Sequence, residues 1–199
     1  VLALPDGVRP VPSRMKLALF NMLGDRIADA AVLDLFSGTG SLGIEAASRG
    51  AARAVLIEKD PCIAETLEEN VRRAGVDDRC TVLCADAYLT PEAVKGVDEP
   101  FDVVFLDPPY VQSEDAGCVS RLGRILDGLA GNGLLRPDTA VILHVRADAF
   151  TTGQLPEQME AADVRRYGSG TLMICRLRKN TCNKPEAPGR IAESSVEED

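Results

Sequence analysis

Histidine is almost absent from this chain. Its 199 residues include one, His144, which argues against a histidine-based metal centre or catalytic triad. His144 sits in the strand-like run AVILHV and is expected to be structural. No C-x-x-C pair occurs among the six cysteines Cys62, Cys80, Cys84, Cys118, Cys175 and Cys182. They are expected to be reduced thiols of a cytoplasmic protein, with no metal site. No apolar run approaches a membrane span, no targeting segment is visible and no internal repeat is found. An excess of positive charge is missing too, since the formal net charge is −9, which argues against a broadly basic nucleic-acid surface. Charge is nevertheless segregated: Arg9, Arg14, Lys16 and Arg26 make the N-terminal arm basic, while Glu193, Glu197, Glu198 and Asp199 crowd the end. The length suits one well-buried α/β core and little more.

What is present is organised around residues 31–61, AVLDLFSGTGSLGIEAASRGAARAVLIEKDP. Val32, Leu33, Leu35 and Phe36 make a short apolar run, Ser37 to Gly40 a turn cluster, and Leu42, Ile44, Ala46 and Ala47 the helix that Gly50 can close. Val55, Leu56 and Ile57 then form a second buried strand ending at Glu58. A crossover of this length implies parallel strands joined right-handedly. Gly38, Gly40 and Gly43 satisfy G-x-G-x-x-G, with Glu58 near the ~20-residue offset of a ribose-binding acid. Glycines admit a close ligand, and amides at a helix start lack intrahelical partners, so the turn reads as a nucleotide cradle. Asp34, just before the glycines, decides what kind. It would repel a pyrophosphate but favours S-adenosylmethionine, which has no phosphate and carries a sulfonium and an ammonium. The alternative is an aspartate that merely caps the turn.

Residues 1–30 form an arm held extended by Pro5, Pro10 and Pro12, then a helix that Ser13 can cap, with Met15, Leu19, Met22 and Leu23 on one face. Residues 31–178 carry the main domain. The spacing predicts a helix over 62–74, strands over 81–84, 101–106 and 141–145, a helix over 117–129, and a C-terminal antiparallel hairpin from 165–167 and 172–177. Asp86 follows the third strand as Asp34 and Glu58 end the first two, so the three acids would line one crevice at the carboxyl ends of the sheet. Residues 179–199 are expected to be a disordered acidic tail. The implied fold is α/β, a mostly parallel doubly wound sheet.

The fourth strand runs into Asp107-Pro108-Pro109-Tyr110. Two prolines remove two backbone donors, leaving the carbonyls and the Asp107 carboxylate as acceptors. Such a site suits the exocyclic amine of a nucleobase, whose lone pair is delocalised until its hydrogens are held out of plane. Tyr110 can stack on the base. A plain turn after a strand is the alternative.

LDLFSGTGSLGIEAASRGA, IEKD, ADAY and FDVVFLDPPY together resemble class I S-adenosylmethionine-dependent methyltransferases of Rossmann-like fold. With LALPDGVRP and ALFNML in the arm, the chain is most similar to the bacterial enzymes that methylate guanine N2 in 16S ribosomal RNA. The resemblance implies that Asp34 and the Gly38–Gly40 loop, with Phe36 and Ser37, contact the methionine part. Glu58 with Lys59 would take the ribose, Asp86 with Ala87 the adenine, and Asp107, Pro108, Pro109 and Tyr110 the target base. Arg9, Arg14 and Lys16 would contact RNA. The family usually reads R-P-T-x-D-R where this chain has Arg9-Pro10-Val11-Pro12-Ser13-Arg14, and it opens on a basic β-hairpin that a chain starting at Val1 holds only in part. The expected partner is ribosomal RNA or the small subunit, and the expected state a monomer. Competing expectations are a DNA adenine-N6 methyltransferase, an NAD-dependent oxidoreductase disfavoured by Asp34, and a non-catalytic RNA-binding or assembly factor.

Overall fold

A computed structural model describes residues 13–89, 94, 99–108, 116–146, 151–168 and 170–178, without the side chains of 116, 118 and 119. The expected tail, Arg9, Pro109 and Tyr110 lie outside the described residues. Twelve elements matter here: α1 (Ser13–Leu23), β1 (Ala31–Asp34), α2 (Gly43–Ser48), β2 (Arg53–Glu58), α3 (Pro61–Ala74), β3 (Cys80–Cys84), β4 (Phe101–Leu106), α4 (Ala116–Gly131), β5 (Leu135–Arg146), β6 (Met159–Tyr167) and β7 (Gly170–Leu177), with a 3-10 turn at Ala87–Leu89.

The strands form one sheet in the order β3-β2-β1-β4-β5-β7-β6. The first five are parallel, and β7 runs antiparallel between β5 and β6. Parallel strands covered on both faces read as unbroken apolar runs, as β1, β2 and β4 do. On one face Val32, Leu56, Phe105 and Ile142 pack with Leu19, Phe20 and Leu23 of α1, Ile44 of α2 and Leu67 of α3. On the other, Leu33, Ile57, Val104 and Leu143 pack with Leu122, Ile125 and Leu129 of α4. The sheet is thus doubly wound and mostly parallel, the Rossmann-like arrangement that the resemblance implies.

Local chemistry explains where elements stop. Asp60 caps α3 by accepting from the backbone N–H groups of Cys62 and Ile63, Pro61 starts it, and Gly75 ends it in a left-handed conformation. Two strands are longer than periodicity suggests. β5 reaches back to Leu135 through the polar residues 136–139, because the Thr139 hydroxyl donates to the Phe101 carbonyl (2.6 Å) and accepts from the Arg136 N–H (2.7 Å) across a register shift. β6 begins at Met159, and its irregularity between Ala161 and Asp163 interrupts the alternation that would have revealed it.

Candidate functional site

Strand order reverses between β1 and β4, and ligands in open α/β sheets bind outside the carboxyl ends of the strands at such a point. The candidate side chains gather there: Asp34 ends β1, Glu58 ends β2, Asp86 follows β3 and Asp107 follows β4.

Asp34 is the most constrained. It is 1% exposed. Its Oδ2 accepts from the Gly43 N–H at 3.0 Å, and its Oδ1 is buried with no hydrogen-bond partner. Burial pushes the carboxyl up to about 7, and repulsion from Asp107 and Glu58 adds to this against the hydrogen bond from the Gly43 amide. One oxygen is therefore satisfied by the fold, and the other is left for a cation or a proton.

The glycine loop differs from the expected cradle of open amides. The Ser37 N–H donates to the Ile57 carbonyl (2.9 Å), the Gly38 N–H to Glu58 Oε2 (3.0 Å), the Gly40 N–H to the Ser37 carbonyl (2.8 Å) and the Gly43 N–H to Asp34. Carboxylates take the Gly38 and Gly43 amides and carbonyls those of Ser37 and Gly40, which argues against the pyrophosphate geometry of a dinucleotide loop. Glu58 also accepts from the Asp60 N–H through Oε1 at 2.9 Å, so both oxygens are oriented. The Ser37 hydroxyl donates to the Asp34 carbonyl at 2.9 Å, tightening the turn.

Two glycines are dictated by space. Gly40 has a φ of +93°, and a Cβ there would come within 2.5 Å of Ile44 and 2.6 Å of Leu67. At Gly43 it would meet Leu56 at 2.6 Å. Gly40→Ala should therefore lower stability by roughly 1–3 kcal/mol, from positive-φ strain and overpacking together. Chemical denaturation checks this, and an unchanged midpoint would mean that Ile44 and Leu67 yield freely.

On the far side, Asp86 Oδ1 accepts from the Tyr88 N–H at 2.9 Å and starts the short turn in which Ala87 is buried. The Phe36 ring meets Tyr88 edge-on at 5.3 Å, and the Arg121 guanidinium of α4 lies 5.1 Å from the Tyr88 ring centre. This column joins the end of β1 to the segment after β3. Sequence reasoning did not find Tyr88 or Arg121 as part of it, because their contacts cross from one element to another. Lys59 is exposed.

Asp107 is partly exposed, and Pro108 beside it is buried. Asp107 Oδ1 lies 2.7 Å from Nδ1 of His144. Leu106 pairs with Leu143 across β4 and β5, so parallel register sets the next residues side by side. His144, expected to be structural, thus stands beside a candidate site residue. Its placement two residues before the end of a buried strand, close to the level of the acids, was the available signal.

The arm residues stand apart. Arg14 is exposed at the start of α1, while Lys16 pairs with Glu45 of α2 at 3.0 Å. A concavity of about 520 Å³ lies at the opposite, amino ends of the strands, where Arg53 pairs with Glu99 and Arg136 with Asp102. Its cations are answered within it, and none of the candidate side chains lines it.

Comparison with known proteins bears on the family and the fold. The family model described as Conserved hypothetical protein 95 matches residues 1–176. The Escherichia coli K12 protein named Ribosomal RNA small subunit methyltransferase D is 42% identical over 113 residues, covering 55% of this chain and 54% of that protein. The chain thus spans about half the length of the curated relatives it matches. Among solved structures, Escherichia coli yhhF superposes with a TM-score of 0.73 at 28% identity, over 88% of this chain and 91% of that one. A Salinibacter ruber RNA methyltransferase in complex with S-adenosyl-L-homocysteine shares the fold, with a TM-score of 0.59 at 20% identity over 95% of this chain and all of that one (100%).

Proposed function

The chain belongs to the Conserved hypothetical protein 95 family, and on that premise we propose that it is a cytoplasmic S-adenosylmethionine-dependent methyltransferase acting on the exocyclic N2 amine of a guanine in 16S ribosomal RNA. The observation that carries this is the pairing of a loop closed to phosphate with an acceptor, Asp107, at the same switch point. The names of the relatives support an RNA substrate.

The residues fit the cofactor. The unpartnered, buried Oδ1 of Asp34 suits a cationic group, and Gly40 and Gly43 leave no room for side chains where the loop must stay thin. Asp34 and the loop would hold the methionine part, Glu58 the ribose, and Asp86 with Ala87 the adenine. When bound, S-adenosylmethionine supplies a methyl group on a sulfonium that leaves as a neutral thioether. Asp107 would receive one hydrogen of the target amine and the Pro108 carbonyl another, exposing the nitrogen lone pair. As the carbon–nitrogen bond forms, positive charge grows on the amine, and the carboxylate stabilises it. Alignment is the main demand of such a displacement. A guanine reaching Asp107 must be unpaired or unstacked. Arg9, Arg14 and Lys16 are assigned to RNA. Lys16 shares its charge with Glu45 and so contributes less than Arg14.

Transfer of labelled methyl from S-adenosylmethionine to small ribosomal subunits from a strain lacking the corresponding enzyme tests the activity, with mass spectrometry locating the nucleotide. No transfer to any subunit or rRNA preparation would defeat it. Glu58→Ala should weaken S-adenosylmethionine binding by roughly 1–3 kcal/mol, because it removes a charged acceptor and also frees the Gly38 amide. Calorimetry reads this directly. Equal affinity in the variant would remove Glu58 from the site.

A further inference from the structure

Asp107 is held by a neighbour that no motif of the chain includes. His144 is 5% exposed, on the sheet face shared by Phe105, Ile142 and Leu172. Leu172 of β7 pairs directly with it on the other side. Its ring nitrogen Nδ1 is 2.7 Å from Asp107 Oδ1, the separation of a hydrogen bond that an Nδ1–H donates to a carboxylate oxygen.

We propose, on the basis of the methyltransferase activity above, that His144 is a positioning residue whose Nδ1–H occupies Oδ1 of Asp107 and leaves Oδ2 alone to receive the target amine. Two physical consequences follow. The first is that the imidazole, 2.7 Å from Oδ1, fixes the rotation of the Asp107 carboxylate.

The second consequence concerns guanine itself. Its N1–H and N2–H donors lie side by side, and a carboxylate with both oxygens available grips such a pair with two parallel hydrogen bonds. That grip holds N2 in the ring plane and keeps its lone pair delocalised. With Oδ1 taken by His144, Asp107 can accept from a single N–H. The amine is then steered without being locked flat.

The test compares His144→Leu, which removes the donor, with His144→Asn, which keeps an N–H near the position of Nδ1. Methyl transfer to small subunits lacking the modification is measured at saturating S-adenosylmethionine. His144→Leu should lower kcat about 10–100-fold, the scale seen when a partner orienting a functional group is lost. The KM for RNA should not rise, and S-adenosylmethionine affinity should stay within about twofold, the precision of such a comparison. His144→Asn should recover about tenfold of the lost kcat. A merely structural histidine would lower Tm and leave kcat of the folded fraction unchanged. Wild-type kcat in His144→Leu, or an equal loss in both variants, would overturn the assignment.

Because the chain has one histidine, nitrogen-15 spectra of the wild-type protein read this imidazole without ambiguity. The ring should carry a proton on Nδ1 in the wild type and lose that preference in Asp107→Ala. A wild-type proton on Nε2 would overturn the proposal even if neither His144 variant folds. A wild type inactive on every RNA probe would defeat the proposed function instead, and the nitrogen-15 result would still decide whether His144 holds Asp107.

Discussion

Asp107→Asn is expected to lower kcat for methyl transfer by about 10²–10³, with S-adenosylmethionine affinity and thermal stability close to wild type. The scale is that of losing one electrostatic partner of a developing charge. The amide keeps the size of the carboxylate and one acceptor. That acceptor is claimed by the Nδ1–H of His144, 2.7 Å from Oδ1, so the amide nitrogen turns toward the incoming amine and sets donor against donor. The charge is lost as well. Positive character develops on the target nitrogen only as the new bond forms, so the carboxylate acts on the transition state more than on the bound substrate, and its loss appears in kcat. Single-turnover measurements at saturating S-adenosylmethionine separate this from weaker binding. Full turnover in the variant would reduce Asp107 to a turn residue.

The second large effect belongs to Asp34 and is a matter of pH. Its folded carboxyl is pushed up to about 7 from the ordinary 3.8, chiefly by burial. A raised carboxyl contributes stability that is fully present below its unfolded value and is lost as pH rises through the folded one. Between pH 4 and 7 the protein should therefore lose stability on this account, on the order of a few kcal/mol. Asp34→Asn has no such charge to bury. It should be more stable than wild type at pH 8, with the difference shrinking toward pH 5, and thermal unfolding at those pH values checks this.

Binding should run the other way. A cationic ligand at Oδ1 requires the ionised form, so S-adenosylmethionine affinity should fall by up to about tenfold for each pH unit below 7, and Asp34→Asn should remove most of that dependence. Calorimetry in two buffers of different ionisation enthalpy should detect a proton released on binding near pH 6. Affinity independent of pH would mean that the cation is held elsewhere.

Much of the frame was legible from local pattern. The runs at 31–36, 53–58 and 101–106 are apolar without alternation because both faces of those strands are covered. Asp60-Pro61 and Gly75 mark the ends of α3 through chemistry that acts within a few residues. Other parts depended on partners far away in sequence. The polar start of β5 is a strand because Thr139 reaches Phe101, 38 residues away in sequence, and β6 is a strand because β7 pairs with it.

The sequence by itself determined the α/β order, the acids at strand ends and the glycine loop, since spacing, backbone freedom and residue chemistry are properties of short segments. Only the tertiary structure decided what those groups do to one another. It turned the loop amides inward onto Asp34 and Glu58, buried Asp34 deeply enough to raise its carboxyl to about 7, and set His144 beside Asp107. Burial and register depend on which strands become neighbours, and β1 and β4, like β4 and β5, are brought together by the closing of the whole sheet.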